Sequence, residues 1–253
     1  MLAVSDGDAT VARASVLGLC WSGHVRLLLV WLAVSVVHAA GWEPLFDGKT
    51  LAGWRVCGQP EDQDKVFWQA RDGVIACDSL GRPGHNYVWL VRDGEFSDFE
   101  LRLQVRGFAA SPGNSGVQVR SRWDEQARWM NGPQVDVHPP APFRTGLLYD
   151  ETRETRRWIF PSLPDSKIDP AQAPRGGPWN ASGWNVLRIL CEGTRIRTWL
   201  NGTPVSDFDG EGLLNDAAHR SHRAGMSGQI ALQLHNRDEL KIEYRDVQVR
   251  RLR

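Results

Sequence analysis

The chain has 253 residues, with 30 basic and 30 acidic side chains and a formal charge of zero. That length suits one β-sandwich with a full core, and the even mixing of charge excludes the basic stripe of a nucleic-acid-binding protein. Twelve tryptophans against three tyrosines fit either aromatic core packing or sugar stacking, since an indole serves both.

Residues 1–40 read as an N-terminal extension and signal peptide. Arg26 precedes an apolar run from Leu27 to Val37 that is short for a bilayer span, and Val37-His38-Ala39 fits a small-x-small cleavage pattern. Export to the periplasm or beyond is expected, with cleavage near Ala39/Ala40 and no membrane span in the mature form. Residues 1–23 are long and weakly apolar for such a segment. A start assigned too far upstream explains them, and an uncleaved anchor is the alternative. One domain is expected over 41–253. Export permits disulfides. Cys57 and Cys77 can pair if their strands are neighbours, while Cys191 reads as a buried small hydrophobe.

In chain order, Trp42, Leu45, Phe46, Leu51 and Trp54 surround an Asp47-Gly48 turn and suggest a first strand beside the closing strand. A hairpin is predicted about Asp72-Gly73. Leu101, Leu103 and Val105 alternate with charged and amide residues, which marks a half-buried strand. Residues 151–182, rich in Arg and Pro, read as irregular and too long for an idle connection. Further hairpins turn at Glu192-Gly193 and Asn201-Gly202, one helical turn falls within 207–227, and Ile230, Leu232 and Leu234 share a strand face opposite Gln229, Gln233 and His235. Many short strands without a long amphipathic helix predict an all-β sandwich.

The working stretch is 114–150. Val117 and Val119 alternate with Gln118 and Arg120, and Val135 and Val137 with Gln134, Asp136 and His138. Successive strand residues face opposite sides, so one face here is apolar and the other carries directional hydrogen-bonding groups. The expectation is that Arg120, Gln134, Asp136 and His235 meet in one hollow.

These segments resemble the 3-keto-disaccharide hydrolase domain family. The matching motifs are PLFDGKTLAGW, the step from Trp68 to Ile75, FSDFELRLQVR, NSGVQVR, GPQVDV, TGLLYDE, WNVLRI, TWLNGTPV, GQIALQLH and IEYRDVQV. The last is looser, with Tyr244-Arg245-Asp246-Val247 where the family commonly has Phe-Arg-Asn-Ile. The resemblance implies a jelly-roll β-sandwich of two antiparallel sheets, of the concanavalin A-like lectin/glucanase type, and cleavage of glycosides oxidised at sugar carbon 3. Gln134-Val135-Asp136-Val137-His138 also has the frame of the Glu-Ile-Asp-Ile-Glu strand of retaining glucanases, with Gln and His at the two Glu positions. Retaining hydrolysis needs two carboxyl groups, and on this strand only Asp136 remains.

A 3-keto sugar allows another route, by loss of the carbon-2 proton, expulsion of the aglycone and addition of water. That route needs a tuned base and donors for the enolate oxygen. Asp136 and His138 are the candidate bases, Arg120 and Gln134 the candidate donors, Tyr149 a proton donor to the leaving group, and His235 a second acid or base. Asn114, Gln118, Arg153 and Gln233 complete the predicted substrate-binding set. The structural alternatives are an exposed Asp136–Arg120 bridge, a packed Tyr149, and a turn role for Asn114. No cofactor is predicted; a divalent metal stays open, because Asp136 and His138 are too few ligands to argue a site. A carbohydrate or glycoside is the expected ligand. A non-catalytic carbohydrate-binding module and an envelope interaction domain are the competing classes.

Overall fold

The structure, a computed structural model, describes residues 41–252 except 110, 112, 140–142, 162–167 and 169–178. The expected targeting region and much of the Arg/Pro-rich connection lie outside the described residues. The strands are β1 (Glu43–Pro44), β2 (Trp54–Gly58), β3 (Trp68–Arg71), β4 (Val74–Asp78), β5 (Val88–Phe96), β6 (Phe99–Gly107), whose apolar residues alternate as expected, β7 (Ser115–Asp124) and β8 (Trp129–Asn131). Then come β9 (Pro133–Val137), β10 (Leu148–Asp150), β11 (Arg157–Phe160), β12 (Asn185–Glu192), β13 (Arg195–Leu200), β14 (Thr203–Asp209), α1 (Ala217–Ser221), β15 (Gly228–Leu234) and β16 (Lys241–Arg251).

All pairings are antiparallel. One sheet runs β14-β13-β12-β6-β16-β4-β3, with β1 added on β16; the other runs β11-β10-β9-β7-β15-β5-β2, with β8 added on β7. The first strand therefore lies beside the closing strand, as expected. Asp72-Gly73 and Asn201-Gly202 both sit at positive φ, 49° and 78° for one pair and 48° and 81° for the other. That is the conformation a two-residue hairpin turn of matching twist requires. The turn predicted at Glu192-Gly193 falls one residue later, because β12 runs through Glu192 and β13 starts at Arg195. Within the connection read as irregular, Arg157–Phe160 forms β11 against β10. Ile159 of this strand joins the core, while Trp158 is buried on the opposite face, paired with Tyr149.

Val117, Val119, Val135, Val137, Leu90, Leu232 and Leu234 of one sheet pack on Leu101, Leu103, Ile189 and Tyr244 of the other. Each such side chain contributes on the order of 1.5–3 kcal/mol by leaving water. Cys191 is fully buried there, as expected. Cys57 and Cys77 do not pair: β2 and β4 belong to different sheets, and all three described cysteines are free and buried. No described helix is long and apolar enough to cross a membrane.

Candidate functional site

Register places the polar residues of the second sheet in adjacent rows on the face turned away from the core. Tyr149 of β10 lies opposite Gln134 of β9, which lies opposite Gln118 of β7. One row along, Asp136 faces Gly116, and Gly116 faces Gln233 of β15. In the next row the His235 N–H donates to the Asn114 carbonyl at 3.3 Å, and Tyr87 Oη meets His235 Nε2 at 3.0 Å. Gly116 leaves the room this face needs. A Cβ built there would stand 2.2 Å from Gln134 Cδ, and Gln134 is held by Gln118 Nε2, which donates to its Oε1 at 2.9 Å. Gly116→Ala is thus expected to displace Gln134 and cut ligand affinity about tenfold or more, with a stability loss of about 1–3 kcal/mol. Titration of the variant with the wild-type ligand checks this, and unchanged affinity would refute the packing argument.

These rows form the floor of a cavity of about 310 Å³, lined by Asn114, Gln134, Asp136, His235, Tyr87, Tyr149, Glu151, Arg144, Arg156 and Trp158. Glu151 follows β10 two residues after Tyr149, so both face the cavity while Asp150 points the other way. Asp150 is fully buried and lies 3.0 Å from His219 Nε2. The other ring nitrogen of His219 is 2.9 Å from Asp216, the residue capping α1. That buried His219 between two carboxylates fixes the turn carrying Glu151. Arg156 stacks over Trp129 at 4.7 Å, and Trp129 Nε1 donates to the Glu151 carbonyl at 2.7 Å.

Electrostatics separate the titratable groups. Burial pushes the Asp136 carboxyl up to about 6, with Arg144, His235 and hydrogen bonds from Asn114 and Gln134 opposing the rise. Arg144 Nε lies 3.2 Å from Asp136 Oδ2, yet the N–H is not aimed for a hydrogen bond and both atoms lack one. The contact is an ion pair and no more. Burial pushes Glu151 further, to about 7, although Gln233 Nε2 donates to it at 3.0 Å and Arg156 and His235 favour its charge. Burial opposes charge on His235, but Asp238, Glu151 and Asp136 outweigh it and raise its pKa. Burial also lifts the Tyr149 phenol to about 12, which keeps it a neutral donor.

A carboxyl whose folded pKa is raised favours folding while protonated. That contribution is complete below the unfolded value of 4.5 for Glu151 and is lost as pH rises through about 7. Glu151→Gln should therefore remove much of this pH dependence and stabilise the fold above pH 7 by roughly 1–3 kcal/mol. Melting curves of variant and wild type between pH 4 and 8 that stay parallel would contradict this.

Asn114, Gln134, Asp136, Tyr149 and His235 are brought together as the sequence predicts. Arg120 is not, and the four-residue hollow loses that member. A bulge interrupts the β7–β15 register between Gln229 and Ala231, Arg120 adopts φ 47°, and its side chain leaves the polar face. Fully buried, it donates to the carbonyls of Ser97 and Gly193 at 2.5 and 2.6 Å and pairs with Asp98 at 2.7 Å. Gln118 and Gln233 are on the face but serve other side chains there, Gln134 and Glu151. Arg153 turns to Asp124, at 2.8 Å, and His138 lies beyond the end of β9; neither lines the cavity. Glu151, Arg144, Trp158 and Tyr87 were not foreseen. The Tyr149-Asp150-Glu151 alternation carried a signal for Glu151, whereas Arg144 and Trp158 reach the cavity through tertiary packing. Among the described residues no group of three or more His, Cys, Asp or Glu is arranged to hold a metal ion.

Two antiparallel sheets with a polar cavity on one outer face are the architecture of the concanavalin A-like lectin/glucanase fold, and the family that the chain matches makes it a carbohydrate-active protein of that fold. Residues 41–250 match the 3-keto-alpha-glucoside-1,2-lyase-like domain, and the chain belongs to that family. A 3-keto-disaccharide hydrolase of Bacteroides thetaiotaomicron is 24% identical over 250 residues, spanning 85% of this chain and 79% of the relative. Two crystal structures from Parabacteroides distasonis, provisionally called glycosyl hydrolases, share the fold. One is 18% identical with TM-score 0.53, covering 84% of this chain and 95% of that one. The other is 22% identical with TM-score 0.52, covering 83% and 99%.

Proposed function

We propose that the cavity cleaves glycosidic bonds of 3-keto-glycosides by elimination and hydration, in an exported protein. The observation that carries this reading is the pair of buried carboxyl groups, Asp136 and Glu151, lining one cavity with pKa values raised to about 6 and about 7. Groups poised near neutrality suit proton transfer in both directions. The family and its Bacteroides thetaiotaomicron member point to the same substrate class.

The ketone at carbon 3 acidifies the carbon-2 hydrogen. Ionised Asp136 takes that proton, and the C–H electron pair moves into an enolate. As the ketone re-forms, the pair makes the C1–C2 double bond, the C1–O bond breaks, and the aglycone oxygen leaves with that bond's electrons. Protonated Glu151 supplies its proton. Water then adds at carbon 1, giving a proton to the Glu151 carboxylate, while Asp136 returns its proton to carbon 2. The sum is hydrolysis with both side chains restored.

Glu151 also favours a second reading. With one carboxyl on β9 and another just after β10 lining the same cavity, hydrolysis of an unoxidised glycoside has the two acids it needs, although the Gln-Val-Asp-Val-His strand supplies only one. Purified protein incubated with a 3-keto-glucoside and its unoxidised parent separates the readings. Aglycone released only from the keto form is the expected result. Release from both, or binding without release as in a carbohydrate-binding module, would overturn it.

A further inference from the structure

The elimination route places negative charge on the oxygen at carbon 3, and such charge needs aligned donors. The donors expected from sequence do not supply them. Arg120 is spent between the sheets. The Gln134 amide accepts from Gln118 and points its Nε2 at Asp136, 3.4 Å away.

Two other N–H groups at the cavity have no acceptor. Trp158 is buried, lines the cavity, and its Nε1 makes no hydrogen bond. Some other indoles are satisfied: Trp54 Nε1 donates to the Leu45 carbonyl at 2.7 Å and Trp129 Nε1 to that of Glu151 at 2.7 Å. Trp89 Nε1 and Trp123 Nε1 also lack an acceptor, but neither residue lines the cavity. The second group is Arg144 Nε, beside Asp136 but not hydrogen-bonded to it. The Arg144 guanidinium carbon is 5.9 Å from the Trp158 ring centroid, so the two donors belong to one wall. Packing fixes that wall, since Trp158 meets Tyr149 edge-on at 5.3 Å and clusters with Leu147 and Ile168.

Both groups donate and cannot accept, which matches a ketone or enolate oxygen, an acceptor only. Position agrees with chemistry. The proton removed and the oxygen charged sit on adjacent sugar carbons, so base and donor must stand side by side, and Asp136 Oδ2 and Arg144 Nε are 3.2 Å apart. We propose that Trp158 Nε1–H and Arg144 Nε–H together receive the carbon-3 oxygen and stabilise the enolate, making both catalytic and selective for the oxidised sugar. This rests on the elimination reading above.

Trp158→Phe keeps an aromatic ring but removes the N–H and the indole's second ring. The void left beside Leu147 and Ile168 costs stability, offset in part by the loss of an unsatisfied buried donor. The folded variant should slow enolisation by about 10²-fold, the usual loss for one such donor, whereas a purely structural Trp158 would leave the rate of the folded protein unchanged. Enolisation is read directly in D₂O, as exchange of the carbon-2 hydrogen of a 3-keto sugar that carries no leaving group, followed by NMR. Arg144→Lys keeps the charge beside Asp136 but loses the planar donor. It should slow exchange by about tenfold or more with the pH profile unmoved, and it serves if Trp158→Phe does not fold. Exchange at the wild-type rate in folded variants would overturn the proposal while leaving the elimination reading intact. A wild-type protein that neither exchanges deuterium nor releases aglycone would overturn both.

Discussion

Replacing Asp136 by Asn is expected to abolish turnover of a 3-keto-glycoside, with a loss of about 10²–10⁴-fold, while the fold survives. The magnitude is that of one general base, and the direction follows from chemistry, since an amide accepts no proton. Asp136 is buried with an oxygen that makes no hydrogen bond, and burial is what holds its carboxyl up at about 6. A neutral amide of the same shape removes that desolvation cost. Arg144 loses its ionic neighbour, but its side chain keeps 19% of its surface in water and can be solvated. Unfolding at pH 7 should therefore shift little or move upward. Activity of the variant within threefold of wild type on the keto substrate would remove Asp136 from the mechanism.

Arg120→Met should do the reverse, leaving the chemistry of folded protein near normal and destabilising it by about 3–5 kcal/mol. For a domain of this size that corresponds to a fall in Tm of roughly 10 °C. The cause is local. Arg120 has no exposed side-chain surface, and its guanidinium joins the β5–β6 turn at Ser97 and Asp98 to the β12–β13 turn at Gly193. Without it the Ser97 and Gly193 carbonyls lose their donor, while Asp98, 43% exposed, recovers water. A substrate-binding Arg120 would give the opposite result, unchanged melting with weakened binding. Denaturant unfolding together with kinetics on the folded fraction decides between them.

The same residue shows where reading the strands by period 2 stops working. Alternation assigns Arg120 to the face of Gln118, but one bulged residue shifts the frame and turns its side chain off that face. Nothing in the run Gly-Val-Gln-Val-Arg-Ser marks the bulge, because it is set by how β7 pairs with β15. Where pairing stays regular, alternation puts Gln134 and Asp136 on one face, and Asn114 and His235, just beyond the paired ends of β7 and β15, line the same cavity.

The all-β character, the sandwich, the hairpins at Asp72-Gly73 and Asn201-Gly202, and the polar face of β9 were determined by local sequence, since alternation and turn conformation act over a few residues. Tertiary structure decided the rest. Separate sheets for Cys57 and Cys77, Glu151 as a second carboxyl in the cavity that Asp136 lines, and Trp158 and Arg144 in its wall depend on strand order and on packing between distant segments. A buried carboxyl acquires its near-neutral pKa from the surroundings that desolvate it, and those surroundings come from strands and loops that meet only once the chain has folded.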